Sequence, residues 1–162
     1  MSEPSAAAPQ PRFEIKKIFI KDASLECPNS PAIFDGQQWQ PEASLHLGTR
    51  TDQLEGPDYA VILTVTLTVK CADLVGYLVE VQQGGIFTLE NIPESQLEPL
   101  LGIGCPNVLF PFAREAVADL VQKAGFPQHL LPPVNFEIIY AQQAQQKSAG
   151  KSQAAGEAAK TH

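Results

Sequence analysis

Residues 59–71 show the most regular alternation of apolar and polar side chains in the chain. The apolar side chains occupy every second position, separated by three threonines and a lysine: Val61, Leu63, Val65, Leu67 and Val69 against Thr64, Thr66, Thr68 and Lys70. A period of two residues is typical of a β-strand that buries one face. We therefore predict a strand whose threonines lie on a sheet surface, where β-branched side chains pack well.

Three other segments have the same period of two, at residues 13–26, 42–47 and 77–89. Together with residues 59–71, they predict four strands before the chain changes character. The connection at residues 72–76 is short enough to turn the third strand into the fourth, so we predict a hairpin there.

Two of these strands contain irregularities. The apolar phase of the first strand changes between Ile15 and Ile18, which predicts a bulge or a local twist. Gly84 and Gly85 interrupt the fourth strand. Paired glycines inside a strand pattern indicate either a bulge or a close approach of another part of the chain to the backbone.

After Leu89 the period becomes helical. We predict helices over residues 93–102, 111–125 and 134–146, with an irregular segment at 104–109 because Pro106 favours an extended conformation at the residue before it. Strands followed by helices, without alternation, are typical of the α+β class. We predict a four-stranded antiparallel sheet with the C-terminal helices packed on one face.

The chain is long enough for one domain, which we place at residues 12–147. The flanking residues 1–11 and 148–162 lack apolar anchors, and we predict that both are disordered. The N-terminal segment has no basic start and no apolar core of a secretory signal. Because apolar runs also fall short of the ~20 residues of a membrane helix, we predict a cytoplasmic protein that does not insert into membranes.

Charge and cysteine spacing argue against several classes of function. The net charge of −7 disfavours binding to nucleic acid, which needs lysine and arginine to replace counterions on phosphates. Cys27, Cys71 and Cys105 are odd in number and scattered, so we predict free thiols and neither disulfides nor a metal site. Histidine spacing and the Gln-Gln-Gly-Gly run offer no ligand set and no phosphate loop. We predict no cofactor and no enzymatic activity.

Three polar residues on the first strand form a possible acidic surface. Asp22, Ser24 and Glu26 are two apart and share a face, with the two carboxylates about 13 Å apart at ~3.3 Å per residue. Catalytic carboxylate pairs lie roughly 5–10 Å apart, so this pair does not fit them. A solvated sheet face and a docking surface for a basic partner both remain open.

The aromatic side chains suggest a second candidate surface. Five of them lie on a long loop, a strand edge and the last predicted helix: Phe34, Trp39, Tyr77, Phe136 and Tyr140. Each is suited to a hydrophobic core. As a set they also suit a groove that holds extended polypeptide without reading particular side chains. The loop at residues 28–41 contains two of them, so we expect it to lie on an apolar surface.

Two segments carry a family resemblance. The sequences Tyr-Leu-Val-Glu-Val-Gln-Gln-Gly-Gly-Ile-Phe-Thr-Leu (77–89) and Cys-Pro-Asn-Val-Leu-Phe-Pro-Phe-Ala-Arg-Glu (105–115) resemble the SecB family of bacterial export chaperones, and the similarity extends from about residue 13 to residue 142. The resemblance implies an ATP-independent chaperone that holds unfolded secretory precursor proteins and passes them to the SecA ATPase. It also implies a homotetramer, assembled as a dimer of dimers.

The resemblance further implies roles for individual residues. Positions that match the contacts of the zinc-containing SecA tail are Asp22, Glu26, Leu78 and Glu80. Positions associated with subunit assembly are Val79, Val81 and Gln83. Trp39 matches the tryptophan of the loop that lines the client groove.

Two alternatives have different consequences for function. One is a SecB-like chaperone dedicated to a toxin–antitoxin pair. The other, from a different class, is an α+β small-molecule-binding domain. That domain would need an enclosed pocket with convergent polar groups, whereas the candidate groove residues are almost all apolar.

Overall fold

The computed structural model describes residues 7–36 and 38–158. Within them, four strands form one antiparallel sheet, namely β1 (Arg12–Glu26), β2 (Pro41–Gln53), β3 (Asp58–Cys71) and β4 (Leu74–Glu90). The strand order is β1-β4-β3-β2. The connection from β1 to β2 must therefore cross from one edge of the sheet to the other, which explains its length. The sheet and the helices that follow it confirm the predicted α+β class.

The faces of the sheet follow the sequence alternation. On β3 the five alternating apolar side chains are fully buried, namely Val61, Leu63, Val65, Leu67 and Val69. On the other face, Thr64, Thr66 and Thr68 are half-buried. On β4 the buried set includes Tyr77, Val79, Val81, Gln83, Phe87 and Leu89. We call the face with these buried side chains the inner face and the opposite face, which carries the threonines, the outer face.

Two irregularities in β1 keep its apolar residues, except Phe19, on the inner face. The pairing with β4 shifts after Ile15 and again after Ile20, and Lys16 and Lys21 are the extra residues. Because each extra residue resets the alternation, Ile18 joins Ile15 and Ile20 on one face. The bulge predicted between Ile15 and Ile18 is confirmed, and the second one was not predicted.

The paired glycines of β4 mark a close approach and not a bulge, since their pairing with both neighbouring strands is continuous. A Cβ atom on Gly85 would lie 2.9 Å from Leu109 on the inner face. A Cβ atom on Gly84 would lie 2.5 Å from the ring of Phe19 on the outer face. Glycine therefore allows side chains to pack directly on the strand from both sides.

The helical region corrects one prediction. Helix α1 (Glu94–Pro99), a π-helical turn (Leu100–Gly104) and helix α2 (Cys105–Lys123) follow one another directly. Residues 105–109 are thus helical and not irregular. Pro106 lies in the first turn, where a missing N–H is tolerated. Burial of Cys105 and Leu109 outweighs the local preference for extended backbone. Helix α2 packs on the inner face of β4 and β3.

The chain divides into two compact units, Met1–Leu131 and Pro132–His162, whereas we predicted one domain over residues 12–147. Helix α3 (Phe136–Ala158) belongs to the second unit. The side chain of Asn135 caps its start by accepting hydrogen bonds from the N–H groups of Glu137 and Ile138.

The last helix is longer than predicted. It continues past the predicted end at residue 146 to Ala158 and so includes residues 148–158, while the predicted disorder of the tail stays a prediction. Four of these eleven residues are alanine, the strongest helix former, which favours a helix even without an apolar stripe. Residues 159–162 of the predicted tail, and residues 1–6 of the predicted N-terminal segment, lie outside the described residues. Between residues 7 and 158, with residue 37 excepted, no helix is long and apolar enough to span a membrane.

The β3–β4 turn generates a stability prediction. Cys71 pairs with Leu74, and the intervening Ala72 has a φ of 53°. Left-handed backbone costs a non-glycine residue roughly 1–2 kcal/mol, of which the greater entropy of glycine in the unfolded chain returns about half. We expect Ala72→Gly to raise the free energy of unfolding by about 0.5–1 kcal/mol in urea titration. An unchanged or lower value would contradict the strain assigned to this turn.

Candidate binding surfaces

Strand pairing brings together residues from two distant segments. Glu26 lies opposite Leu78, Ser24 opposite Glu80, and Asp22 opposite Gln82. Directly paired residues of an antiparallel sheet project from the same face, here the outer face. We call the group of Asp22, Glu26, Leu78 and Glu80 the acidic surface. The four residues predicted for one binding role are therefore neighbours on the first unit.

A threonine of β3 holds one of these carboxylates. The hydroxyl of Thr66 donates a hydrogen bond to Oε2 of Glu80, at 3.0 Å. Glu80 therefore leans towards β3, away from the strand that carries Asp22 and Glu26. The separation reduces repulsion between the carboxylates and leaves Oε1 of Glu80 for other donors. Sequence reasoning missed Thr66 because its neighbours depend on the strand order.

The residues predicted for subunit assembly lie on the inner face. Val79, Val81 and Gln83 are buried within the protomer, below α2. The amide nitrogen of Gln83 donates a hydrogen bond to the carbonyl oxygen of Phe19 in β1, at 2.9 Å. These three side chains therefore form the layer that joins β4 to its neighbours.

An exposed apolar stripe lies along β1. Phe13, Ile15 and Ile20 pair with inner-face residues of β4, yet they remain 41%, 46% and 52% exposed. We call these three residues the β1 stripe. Within the described part of the chain, β1 is an edge strand of the sheet, so the stripe and the free edge lie together. An apolar surface at a strand edge is typical of an interaction site.

Four aromatic rings form a cluster in the first unit, centred on Phe126. Its ring centroid lies 4.9 Å from that of Phe34, 5.2 Å from that of Trp39 and 5.0 Å from that of Tyr77. We call these four residues the aromatic cluster. Tyr77 is 1% exposed and supports the cluster from below, whereas Trp39 is half-buried and Phe34 is 50% exposed.

The loop between β1 and β2 is attached to the β3–β4 turn by polar contacts. The side-chain amide of Asn29 donates a hydrogen bond to the carbonyl oxygen of Val75, at 2.9 Å. The thiol of Cys71 donates one to the carbonyl oxygen of Gln38, at 3.6 Å. Ile33, in a short 3-10 segment (Ala32–Phe34), is buried. The expectation that this loop lies on an apolar surface is confirmed.

The five aromatic residues predicted as one set are divided between the two units. Phe34, Trp39 and Tyr77 belong to the first unit, where the structure brings them together. Phe136 and Tyr140 belong to the second unit, four residues apart and therefore on the same side of α3.

Sequence reasoning missed Phe126, the centre of the cluster, because its segment was read only as a loop after a helix. A large apolar residue directly after a helix-ending glycine is nevertheless a known signal for a side chain that folds back onto its helix. Gly125 has a φ of 91°, and the N–H of Phe126 donates a hydrogen bond to the carbonyl oxygen of Val121.

The three cysteines, all within the described residues, are free, and burial raises the pKa of the Cys105 thiol to about 12. Such a thiol is almost entirely protonated near neutral pH and is a poor nucleophile. The described part of the chain contains no group of three or more histidine, cysteine, aspartate or glutamate residues that could hold a metal ion.

Comparison with solved structures identifies the fold as that of the SecB-like chaperones. A SecB-like chaperone from Mycobacterium tuberculosis, solved in complex with an antitoxin peptide, superposes with a TM-score of 0.62 at 18% identity. The match covers 76% of this chain and 91% of that one. At this identity the similarity concerns the fold alone.

Sequence comparison identifies the family. The family model described as preprotein translocase subunit SecB matches residues 6–147. Protein-export protein SecB of Methylococcus capsulatus is 50% identical over 137 residues, which cover 85% of this chain and 88% of the relative. The Nitrosococcus oceani protein of the same name is 51% identical over 146 residues, which cover 89% of each chain.

This chain therefore belongs to the SecB family, and it is a chaperone of protein export. The finding favours the export role over the two alternatives, an antitoxin-dedicated chaperone and a small-molecule-binding domain.

The buried phenol of Tyr77 generates a prediction about alkaline stability. Burial raises the pKa of Tyr77 from 10.0 to about 12. The unfolded state therefore loses its proton first, and stability that is present below pH 10 is lost as the pH rises towards 12. We expect wild type to lose up to about 1.4 kcal/mol per pH unit from this group, and Tyr77→Phe to lose less.

The measurement is urea unfolding at several values between pH 8 and pH 11. The raised pKa of Cys105 acts in the same direction, so Cys105→Ala should also reduce the loss, and the double variant should be the least sensitive to pH. Equal losses in wild type and all variants would contradict the role assigned to these buried groups.

Proposed function

We propose that this chaperone holds secretory precursor proteins unfolded in the cytoplasm and delivers them to the SecA ATPase, without nucleotide chemistry of its own. The observation that carries the proposal is the presence of two chemically different surfaces on the first unit. The aromatic cluster offers exposed apolar rings, and the acidic surface offers carboxylates on the outer face of a rigid sheet. An apolar surface suits client holding, whereas a charged one suits docking of a delivery partner.

Client binding at the aromatic cluster follows from its exposure. Phe34 and Trp39 present ring surface that is available to apolar segments of an unfolded chain. Tyr140 on α3 is half-buried and offers further aromatic surface in the second unit, whereas the predicted client contact Phe136 is buried there. Such rings bind many sequences because they form few directional contacts. Weak sites are sufficient, because several sites on one assembly engage a long client at high effective concentration.

The acidic surface is proposed as the docking site for SecA. The resemblance assigns Asp22, Glu26, Leu78 and Glu80 to the contact with the basic, zinc-bound SecA tail, and the strand pairing that joins them supports this assignment. The net charge of −7 adds long-range attraction for a basic partner. Leu78 lies opposite Glu26 and two residues from Glu80, so it can contribute an apolar contact beside the carboxylates.

We also propose that the protein assembles as a homotetramer, a dimer of dimers. The β1 stripe supports assembly, since a second copy of the chain would remove its exposed phenyl ring and two isoleucine side chains from water. The residues associated with subunit assembly would act indirectly, because all three lie below the surface: Val79, Val81 and Gln83. Their packing under α2, and the hydrogen bond from Gln83 to Phe19, fix the position of β1 and hence of the stripe.

Removal of the tryptophan separates client holding from docking. We expect Trp39→Ala to weaken binding of reduced, carboxymethylated lactalbumin, a permanently unfolded probe, by roughly 5- to 30-fold, because loss of an aromatic anchor costs about 1–2 kcal/mol. Affinity for a zinc-loaded SecA tail peptide should stay within twofold of wild type. Calorimetric titration of one preparation with both ligands gives the two values.

The matched control is Leu54→Ala, which truncates an exposed apolar residue between β2 and β3. This control should leave both affinities unchanged. A Trp39→Ala variant that melts at a lower temperature but binds the unfolded probe as wild type does would show that Trp39 is only structural, and it would remove the proposed client surface.

Charge reversal on β4 tests the docking surface. We expect Glu80→Lys to weaken binding of the SecA tail peptide at least 10-fold, because attraction becomes repulsion within the acidic surface. Wild-type affinity should fall with added salt, since the Debye length is only ~8 Å at physiological ionic strength. Client binding at the aromatic cluster should remain close to wild type.

Glu55→Lys is the matched control for this variant. It changes the net charge equally, but it lies in the exposed turn between β2 and β3, so it should retain most of the affinity for the peptide. Native mass measurement completes the experiment. A Glu80→Lys variant that binds the peptide normally refutes the docking model, and one that changes oligomeric state assigns Glu80 to a subunit interface instead.

A further inference from the structure

Phe126 links three separate parts of the first unit. Its ring packs on Phe34 and Trp39 from the β1–β2 loop and on Tyr77 from β4. Phe126 itself directly follows the helix-ending Gly125, whose N–H donates a hydrogen bond to the carbonyl oxygen of Gln122, at 3.0 Å. The ring of Phe126 is therefore fixed by the end of α2 and by the fully buried side chain of Tyr77 in β4.

The positions of the exposed rings of Phe34 and Trp39 depend on the buried ring of Phe126. Phe126 is only 5% exposed, whereas the two loop rings that rest on it face outward. The polar anchors of the loop, at Asn29 and Gln38, lie on either side of Phe34 in sequence and do not fix its ring. Contact with Phe126 provides that support, and Gly125 adds to it, since a Cβ atom there would lie 3.3 Å from the Phe34 ring.

We propose that Phe126 is a positioning residue for client binding, which sets the spacing of Phe34 and Trp39 without touching the client itself. The inference rests on the client surface proposed above. The ring centroids of Phe34 and Trp39 both lie within 5.2 Å of the ring centroid of Phe126. The two exposed rings therefore form one short binding element. Side chains two residues apart in an extended chain, about 7 Å from each other, can reach both rings. The favoured client is an extended segment with apolar side chains at alternate positions.

The test replaces the ring but keeps the site apolar. Phe126→Leu should reduce the affinity for reduced, carboxymethylated lactalbumin roughly 5- to 10-fold, and leave binding of the SecA tail peptide unchanged. The chain has one tryptophan, so its fluorescence reports on Trp39 alone, and its emission should shift in the variant without any ligand. Phe126→Tyr keeps the ring and should restore both the affinity and the emission.

Phe110→Leu is the matched control. Phe110 is also 5% exposed, and it lies on α2 about 20 Å from the end of that helix at 1.5 Å per residue. This variant should lose comparable stability but keep wild-type tryptophan emission and client affinity. If Phe126→Leu does not yield folded protein, Phe126→Met, whose unbranched side chain adapts to an irregular apolar site, replaces it.

The outcomes separate this inference from the function on which it rests. Weaker client binding by Trp39→Ala and Phe126→Leu, with rescue by Phe126→Tyr and no effect in Phe110→Leu, supports the positioning role. Weaker binding by Trp39→Ala together with wild-type binding by Phe126→Leu overturns the positioning role alone. Wild-type binding by Trp39→Ala removes the client surface and the positioning role with it.

Discussion

The pairing of β4 with β1 on one side and β3 on the other determines where each candidate surface on the sheet lies. Side chains alternate along a strand, so a slip of one residue would exchange the two faces. Glu80 would then enter the core below α2, and Val79 would replace it outside. The apolar set of β3 prevents such a slip, because its five fully buried residues fit only one register. The acidic surface is therefore a consequence of core packing several residues away from it.

A chaperone must expose apolar surface and still remain folded, and the structure divides these demands between regions. The centre of the sheet is covered by α2, which approaches the backbone closely at Gly85. Exposed apolar side chains at the margins include Phe34 on the loop and the three residues of the β1 stripe. Loss of contacts at a margin costs little global stability, since such regions open locally at low free energy. The net negative charge opposes non-specific association of these margins.

The sequence correctly predicted the four strands, their buried faces and the first bulge of β1, because each of these features depends on local periodicity. It also grouped Asp22, Glu26 and Glu80, through a family resemblance. It failed where distant packing outweighs a local preference. Burial of Leu109 turns the segment around Pro106 into helix. The contact of Thr66 with Glu80 and the position of Phe126 among three rings require the strand order and the path of the β1–β2 loop, which no local pattern contains.

The two proposed surfaces share β4 but use opposite sides of it. Tyr77 supports the aromatic cluster from the inner face, and the next residue, Leu78, belongs to the acidic surface on the outer face. A central strand that is hydrogen-bonded along both edges has little freedom to move, so it separates the two surfaces and does not act as a switch between them. Apolar contacts on one side change little with salt, whereas ionic contacts on the other are screened. The geometry therefore allows client holding and partner docking to be adjusted independently.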